Sequence, residues 1–145
     1  MASYFLPIGA PIVTEDYRGK KQENHTHRSL GYNVFANDSQ FKMAILIDQG
    51  SASASEILSG ALQQNNVAKL VGTRSFGKGS VQELMDLGNG AQLKVTIARW
   101  LTPNGSSISD GGLHADIEAT TTAELARDPA KDPQVQAAVN YLLGR

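Results

Sequence analysis

The 145-residue sequence contains no cysteine, which excludes a disulfide framework, a thiolate nucleophile and a thiolate-held metal while leaving the cellular compartment open. It also lacks a charge bias: 13 Lys+Arg stand against 14 Asp+Glu, a formal net charge of −1. No global field therefore draws the chain to nucleic acid or to an anionic membrane, and partners must be recognised at a site. No long hydrophobic run and no internal repeat is visible. The opening Met1-Ala2-Ser3-Tyr4-Phe5-Leu6-Pro7 lacks the basic segment and apolar stretch of a signal peptide or anchor. The expectation is a cytosolic protein or a piece of a longer one. What is present suffices for a globule: 41% hydrophobic residues and 14 glycines, in a length that suits a single domain over residues 1–145.

Short strands are expected around Ile12-Val13 and Tyr32-Asn33-Val34-Phe35, joined by a polar run from Glu15 to Ser29 that reads as a mobile hairpin tip around Arg18-Gly19. The block Lys42-Met43-Ala44-Ile45-Leu46-Ile47-Asp48 is continuous rather than alternating, as in a strand buried on both faces. A tight turn of glycine and serines follows. Ala54, Ile57, Leu58, Ala61 and Leu62 then form a helical stripe ending near Gln64-Asn65-Asn66. Ala68 to Val71 reads as another strand. Val81 to Leu87 and Leu93 to Leu101 form a hairpin about Gly88-Asn89-Gly90, with Leu93, Val95, Ile97 and Leu101 on one face. Asp132-Pro133 starts a closing helix with the stripe Val135, Val139, Leu142 and Leu143, and Gly144 ends it. Alternating strands and helices indicate an α/β architecture.

Two segments carry candidate chemistry. In Gly50-Ser51-Ala52-Ser53-Ala54-Ser55-Glu56 a serine sits between a strand and a helix N-terminus, where unpaired N–H groups and the helix dipole favour a hydroxyl oxygen and a neighbouring oxyanion. The same residues match the capping box S-x-x-E, the commoner meaning of that pattern. The second, Gly72-Thr73-Arg74-Ser75-Phe76-Gly77-Lys78-Gly79-Ser80, nearly spells a phosphate-binding loop. Gly79, however, occupies the position that needs a hydroxyl for magnesium, which argues against nucleotide binding. Lys78 reads either as a solvated surface lysine or, between two glycines and with Gln82 four residues on, as a general base positioned by an amide.

Together, Ser53, Lys78 and Gln82 resemble the catalytic set of the carboxyl-terminal processing peptidases, the tail-specific serine proteases of family S41 with a Ser-Lys dyad. The resemblance extends through Val71-Gly72-Thr73, Ser75 to Gln82, Ala98-Arg99 with Thr102-Pro103-Asn104-Gly105, Leu6-Pro7, Gly112-Leu113 with Asp116-Ile117, and Asp132-Pro133-Gln134. It selects Ser53 as nucleophile over Ser51 and Ser55, which the capping argument does not. Ala115 stands where the family commonly has proline. The resemblance implies a partial ClpP/crotonase-like α/β core, without the family's PDZ module or the upstream glycine-rich turn that would add an oxyanion donor. It implies endopeptidase cleavage near protein C-termini, with Lys78 as general base, Gln82 orienting its amine and the Ala54 N–H as oxyanion donor. A lysine has an ordinary pKa of about 10.4, so such a base must be sequestered from water. No cofactor or metal is implied. The implied partners are polypeptides with a free C-terminus; there is room for a homo-oligomer, and the parent protein is expected outside the cytoplasm. A non-catalytic peptide-binding or scaffold fragment of the same fold is the alternative.

His25 and His27 lack the carboxylate or cysteine set of a metal site and read as loop residues, as does His114. Trp100 reads as packing against its sheet. Lys20-Lys21 is too short for a nucleic-acid patch.

Overall fold

The computed structural model describes residues 1–19, 22–35 and 38–145; the Lys20-Lys21 pair lies outside them. Strand β1 (Pro11–Asp16) pairs antiparallel with β2 (His25–Arg28) on one side and with β6 (Ala91–Leu101) on the other. β6 also pairs with β5 (Ser80–Gly88), giving a four-stranded antiparallel sheet of order β2-β1-β6-β5. A second, parallel sheet has the order β3 (Ala44–Ile47), β4 (Lys69–Gly72), β7 (Ile117–Glu118). Helix α1 (Ala54–Gln64) packs against β1 and β4, and α2 (Pro133–Leu143) packs on β3 and β4. The architecture is α/β with mixed sheets, as the alternation of patterns implies.

The main core lies where α1 meets the N-terminal segment. Leu6, Ala61, Leu62 and Ala68 are buried there, with Ile12, Ile45 and Leu58 packed against them. A second cluster joins Ile47, Leu70 and Leu113 across the parallel sheet. Burying one such leucine side chain stabilises by about 1.5–3 kcal/mol, so these apolar contacts fix how α1 sits on the sheets.

Several expectations need correction. Residues 32–35 form no strand. Asn33 adopts φ +36°, which breaks an extended run; its N–H donates to Ser3 and that of Val34 to Tyr4, while Phe35 stacks on Phe41 at 4.3 Å between ring centroids. The polar run holds a strand instead, because Arg18 and Gly19, both at positive φ, turn β2 back along β1. β3 is not buried on both faces: Leu46 is 43% exposed, and among the described residues β4 is its one strand neighbour. The β6 face is interrupted by a bulge. Val81 pairs with Ala98 but Gln82 with Thr96, so Ile97 is an extra residue and the alternation resets. In α2 the buried positions are Gln134 and Ala138, whereas Val139, Leu142 and Leu143 remain exposed. In this orientation the buried Gln134 amide donates to the Ala119 carbonyl at 3.1 Å.

The capping signals do hold. Asp132 accepts the Gln134 N–H at 2.9 Å, and Gly144 at φ +70° closes α2.

Candidate active site

The turn from β3 into α1 is built on Asp48. Its carboxylate accepts the Gly50 N–H at 2.9 Å and the Ser51 hydroxyl at 3.1 Å, and the Ser51 Oγ in turn accepts the Asp48 N–H. The Ser51 hydroxyl is thus committed to folding the turn. Ser55 lies in the first turn of α1 and is exposed. Ser53 stands at the N-cap with φ +57° and ψ −114°, a conformation that costs a non-glycine residue about 1–3 kcal/mol and persists only when its surroundings impose it. Those surroundings include a capping box: the Ser53 N–H donates to Glu56 Oε2 at 2.8 Å. The next amide, Ala54 N–H, has no acceptor among the described residues; it belongs to an exposed residue at the positive end of the helix.

The segment after β4 passes directly beside this turn. The Phe76 N–H donates to the Ser51 carbonyl at 3.0 Å. Glu56, 1% exposed, accepts from four groups: Ser53 N–H and Lys78 N–H at Oε2, the latter at 2.9 Å, and Ser75 Oγ–H and Gly77 N–H at Oε1, both at 2.6 Å. The Ser75 oxygen also accepts the Leu113 N–H at 2.7 Å, tying in a third segment. Glycine is required on both sides of Lys78. Gly77 has φ +89°, and a Cβ at Gly79 would lie 2.5 Å from the Ser109 nitrogen.

The structure therefore brings the main chains of Ser53 and Lys78 to one carboxylate oxygen. It does not enclose the Lys78 side chain, which is exposed and makes no ion pair among the described residues. The sequestration expected of a lysine base is not supplied by these residues. Gln82 is exposed on β5, opposite Thr96, and its side chain makes no hydrogen bond among the described residues. The loop is no phosphate cradle, because its Ser75, Phe76, Gly77 and Lys78 amides are already donated within the protein. A cleft of about 370 Å³ lies beside the turn, lined by Asp48, Gly50, Thr73, Thr121 and Gln134.

The sequence reading missed the reach of Glu56, which it assigned only to capping, and it gave Ser75 no role of its own. The His27 Nε2–H donates to Glu15 Oε1 at 2.8 Å, and the ring packs near Trp100 at 6.0 Å. Hydrogen bonds from Tyr17 and then His27 hold the Glu15 carboxyl below the usual range. At Asp116 burial pushes the carboxyl up, but bonds from the Leu70 N–H, the Gln63 amide and Lys69 outweigh it and the net direction is down. His114 is exposed, and its carbonyl accepts from Gln63.

The chain is similar to known proteins along most of its length. Residues 1–119 match the model of peptidase family S41. The carboxyl-terminal-processing protease of Synechocystis sp. is 42% identical over an alignment covering 99% of this chain and 33% of that protein. The carboxy-terminal-processing protease of Bartonella bacilliformis is 52% identical over 78% of this chain and 25% of its own length. Among solved structures, the photosystem II D1 C-terminal processing protease superposes with a TM-score of 0.71 at 32% identity, covering 82% of this chain and 29% of that one. The chain thus spans between a quarter and a third of these relatives. On the family match over most of its length, the chain belongs to peptidase family S41.

Proposed function

We propose that the protein is a serine endopeptidase that cuts polypeptides near their C-termini through a Ser53–Lys78 dyad. The observation that supports this most is the convergence of two elements. The serine at positive φ begins a helix beside an Ala54 N–H that has no acceptor among the described residues, and the Lys78 main chain is tied to the same carboxylate oxygen as the serine's own amide.

In the proposed reaction, uncharged Lys78 takes the Ser53 proton as Oγ attacks the scissile carbonyl carbon. The Ala54 N–H meets the developing oxyanion, a contribution typically worth about 10²–10³ in rate. The lysine passes the proton to the leaving amine, and water then releases the acyl group by the same route. Gln82 orients the amine without adding charge; Gln82→Glu would favour the ammonium and is expected to lower activity at neutral pH. Because Lys78 is exposed here, the reading requires that bound polypeptide or protein outside these residues covers it. An extracytoplasmic site of action for the parent protein rests on the family resemblance alone.

A second reading, a non-catalytic peptide-binding or scaffold protein of the same fold, draws on the exposure of Lys78 and Gln82. Cleavage of an unstructured polypeptide by the full-length protein separates the two. Loss of cleavage in both Ser53→Ala and Lys78→Ala, with folding retained, upholds the dyad, and cleavage persisting in both rejects it.

A further inference from the structure

We infer that Glu56 is a positioning residue for proteolysis, whose carboxylate sets the Ser53 turn against the Lys78 loop; the inference rests on the dyad reading above. An ordinary capping-box carboxylate satisfies one backbone N–H at its own helix end. Glu56 satisfies that one and three more donors from a different segment, Ser75 Oγ–H, Gly77 N–H and Lys78 N–H, at distances of 2.6–2.9 Å. A carboxylate has about four lone-pair sites, and here each oxygen receives two donors.

The arrangement is directional. Oε2 is shared by the amides of the two dyad residues, and Oε1 by the two residues that lead into Lys78. Any rotation or shortening of the side chain must move one segment relative to the other. The group is 1% exposed, so water cannot readily replace a lost acceptor, and an unpaired buried donor is costly. Ser75 extends the junction by accepting from Leu113, which keeps the approach to Lys78 from swinging away.

Glu56→Gln tests this without changing size, because its NH₂ end would face two donors and one pair must separate. In the full-length protein, with active sites counted by covalent titration, kcat per titrated site is expected to fall about 10²-fold, the cost typical of a misplaced catalytic group. KM should change little, because no substrate contact is removed, and phosphonylation of Ser53 by a fluorophosphonate, with fluoride leaving, should slow in parallel. A folded Glu56→Gln protein with unchanged kcat per site overturns the inference. If that variant does not fold, Ser75→Ala decides, since it keeps the carboxylate and removes one donor. Its kcat per site should fall on the order of tenfold at constant KM, and an unchanged kcat overturns the inference. Ser53→Ala and Lys78→Ala are assayed alongside. Cleavage surviving in both defeats the dyad itself, whereas loss in both with full activity in Glu56→Gln defeats only the positioning role.

Discussion

The junction around Glu56 and the outer part of the β5–β6 hairpin distribute polarity in opposite ways. At the junction a carboxylate is 1% exposed; on the hairpin Leu84 and Leu87 are each 63% exposed, with Met85 and Leu93 at 48%. Burial here follows how many segments surround a position more than the polarity of its side chain. Two segments bring donors to Glu56, its own helix turn through Ser53 and the loop from Ser75 to Lys78, so its charge is compensated by hydrogen bonds, and Leu113 joins through Ser75. The hairpin arm has β6 on one side of β5 and no strand on the other, so its apolar residues find nothing to pack against within the described residues.

The largest effect that would sharpen this contrast is expected in the parallel sheet. Leu70 is fully buried between β3, β7 and Leu113, and Leu70→Ala should destabilise the fold by about 2–5 kcal/mol in denaturant titration. Ser75→Ala should cost about 1–3 kcal/mol, because it leaves the buried Leu113 N–H without its acceptor. Acidification should act next. Glu15 and Asp116 both have carboxyls held below their ordinary values, so their stabilisation is present above those values and is lost as the pH falls through the lower, folded-state ones. Urea midpoints measured against pH should therefore decline in acid, and less steeply in Asp116→Asn. At the small end, Leu84→Ser on the hairpin should change stability by less than about 0.5 kcal/mol. A large loss there would show that the hairpin face is covered and would break the contrast.

Much of the fold was legible because local chemistry decided it. The serine-glycine turn before α1, the Asp132 cap and the Gly88-Asn89-Gly90 hairpin turn all follow from short-range rules. The misreadings share a tertiary cause. The bulge at Ile97 arises from pairing with β5, and the buried face of α2 is the one that carries Gln134, whose amide bonds a segment 15 residues away. Likewise, the Tyr32 to Phe35 segment looks like a strand by composition but meets the N-terminal turn instead of a sheet edge. At the site, the glycines around Lys78 and the amide four residues on marked Lys78 and Gln82, whereas Ser53 was singled out from Ser51 and Ser55 only by the resemblance to the processing peptidases. The reach of Glu56 to Ser75, Gly77 and Lys78 was not legible, because a contact between residues about twenty positions apart leaves no periodic trace. The exposure of Lys78 ran against expectation for a similar reason: which segments cover a side chain is a property of the assembled fold.

The central claim is that Ser53 is made nucleophilic by Lys78. Treating the full-length protein with a fluorophosphonate and locating the adduct by peptide mass spectrometry tests it most directly, with the rate measured again in Lys78→Ala. The expected result is a single adduct on Ser53 that forms at least about 10²-fold more slowly without the lysine, the usual scale of general-base assistance. An adduct on Ser51 or Ser55, or equal rates with and without Lys78, would contradict the account.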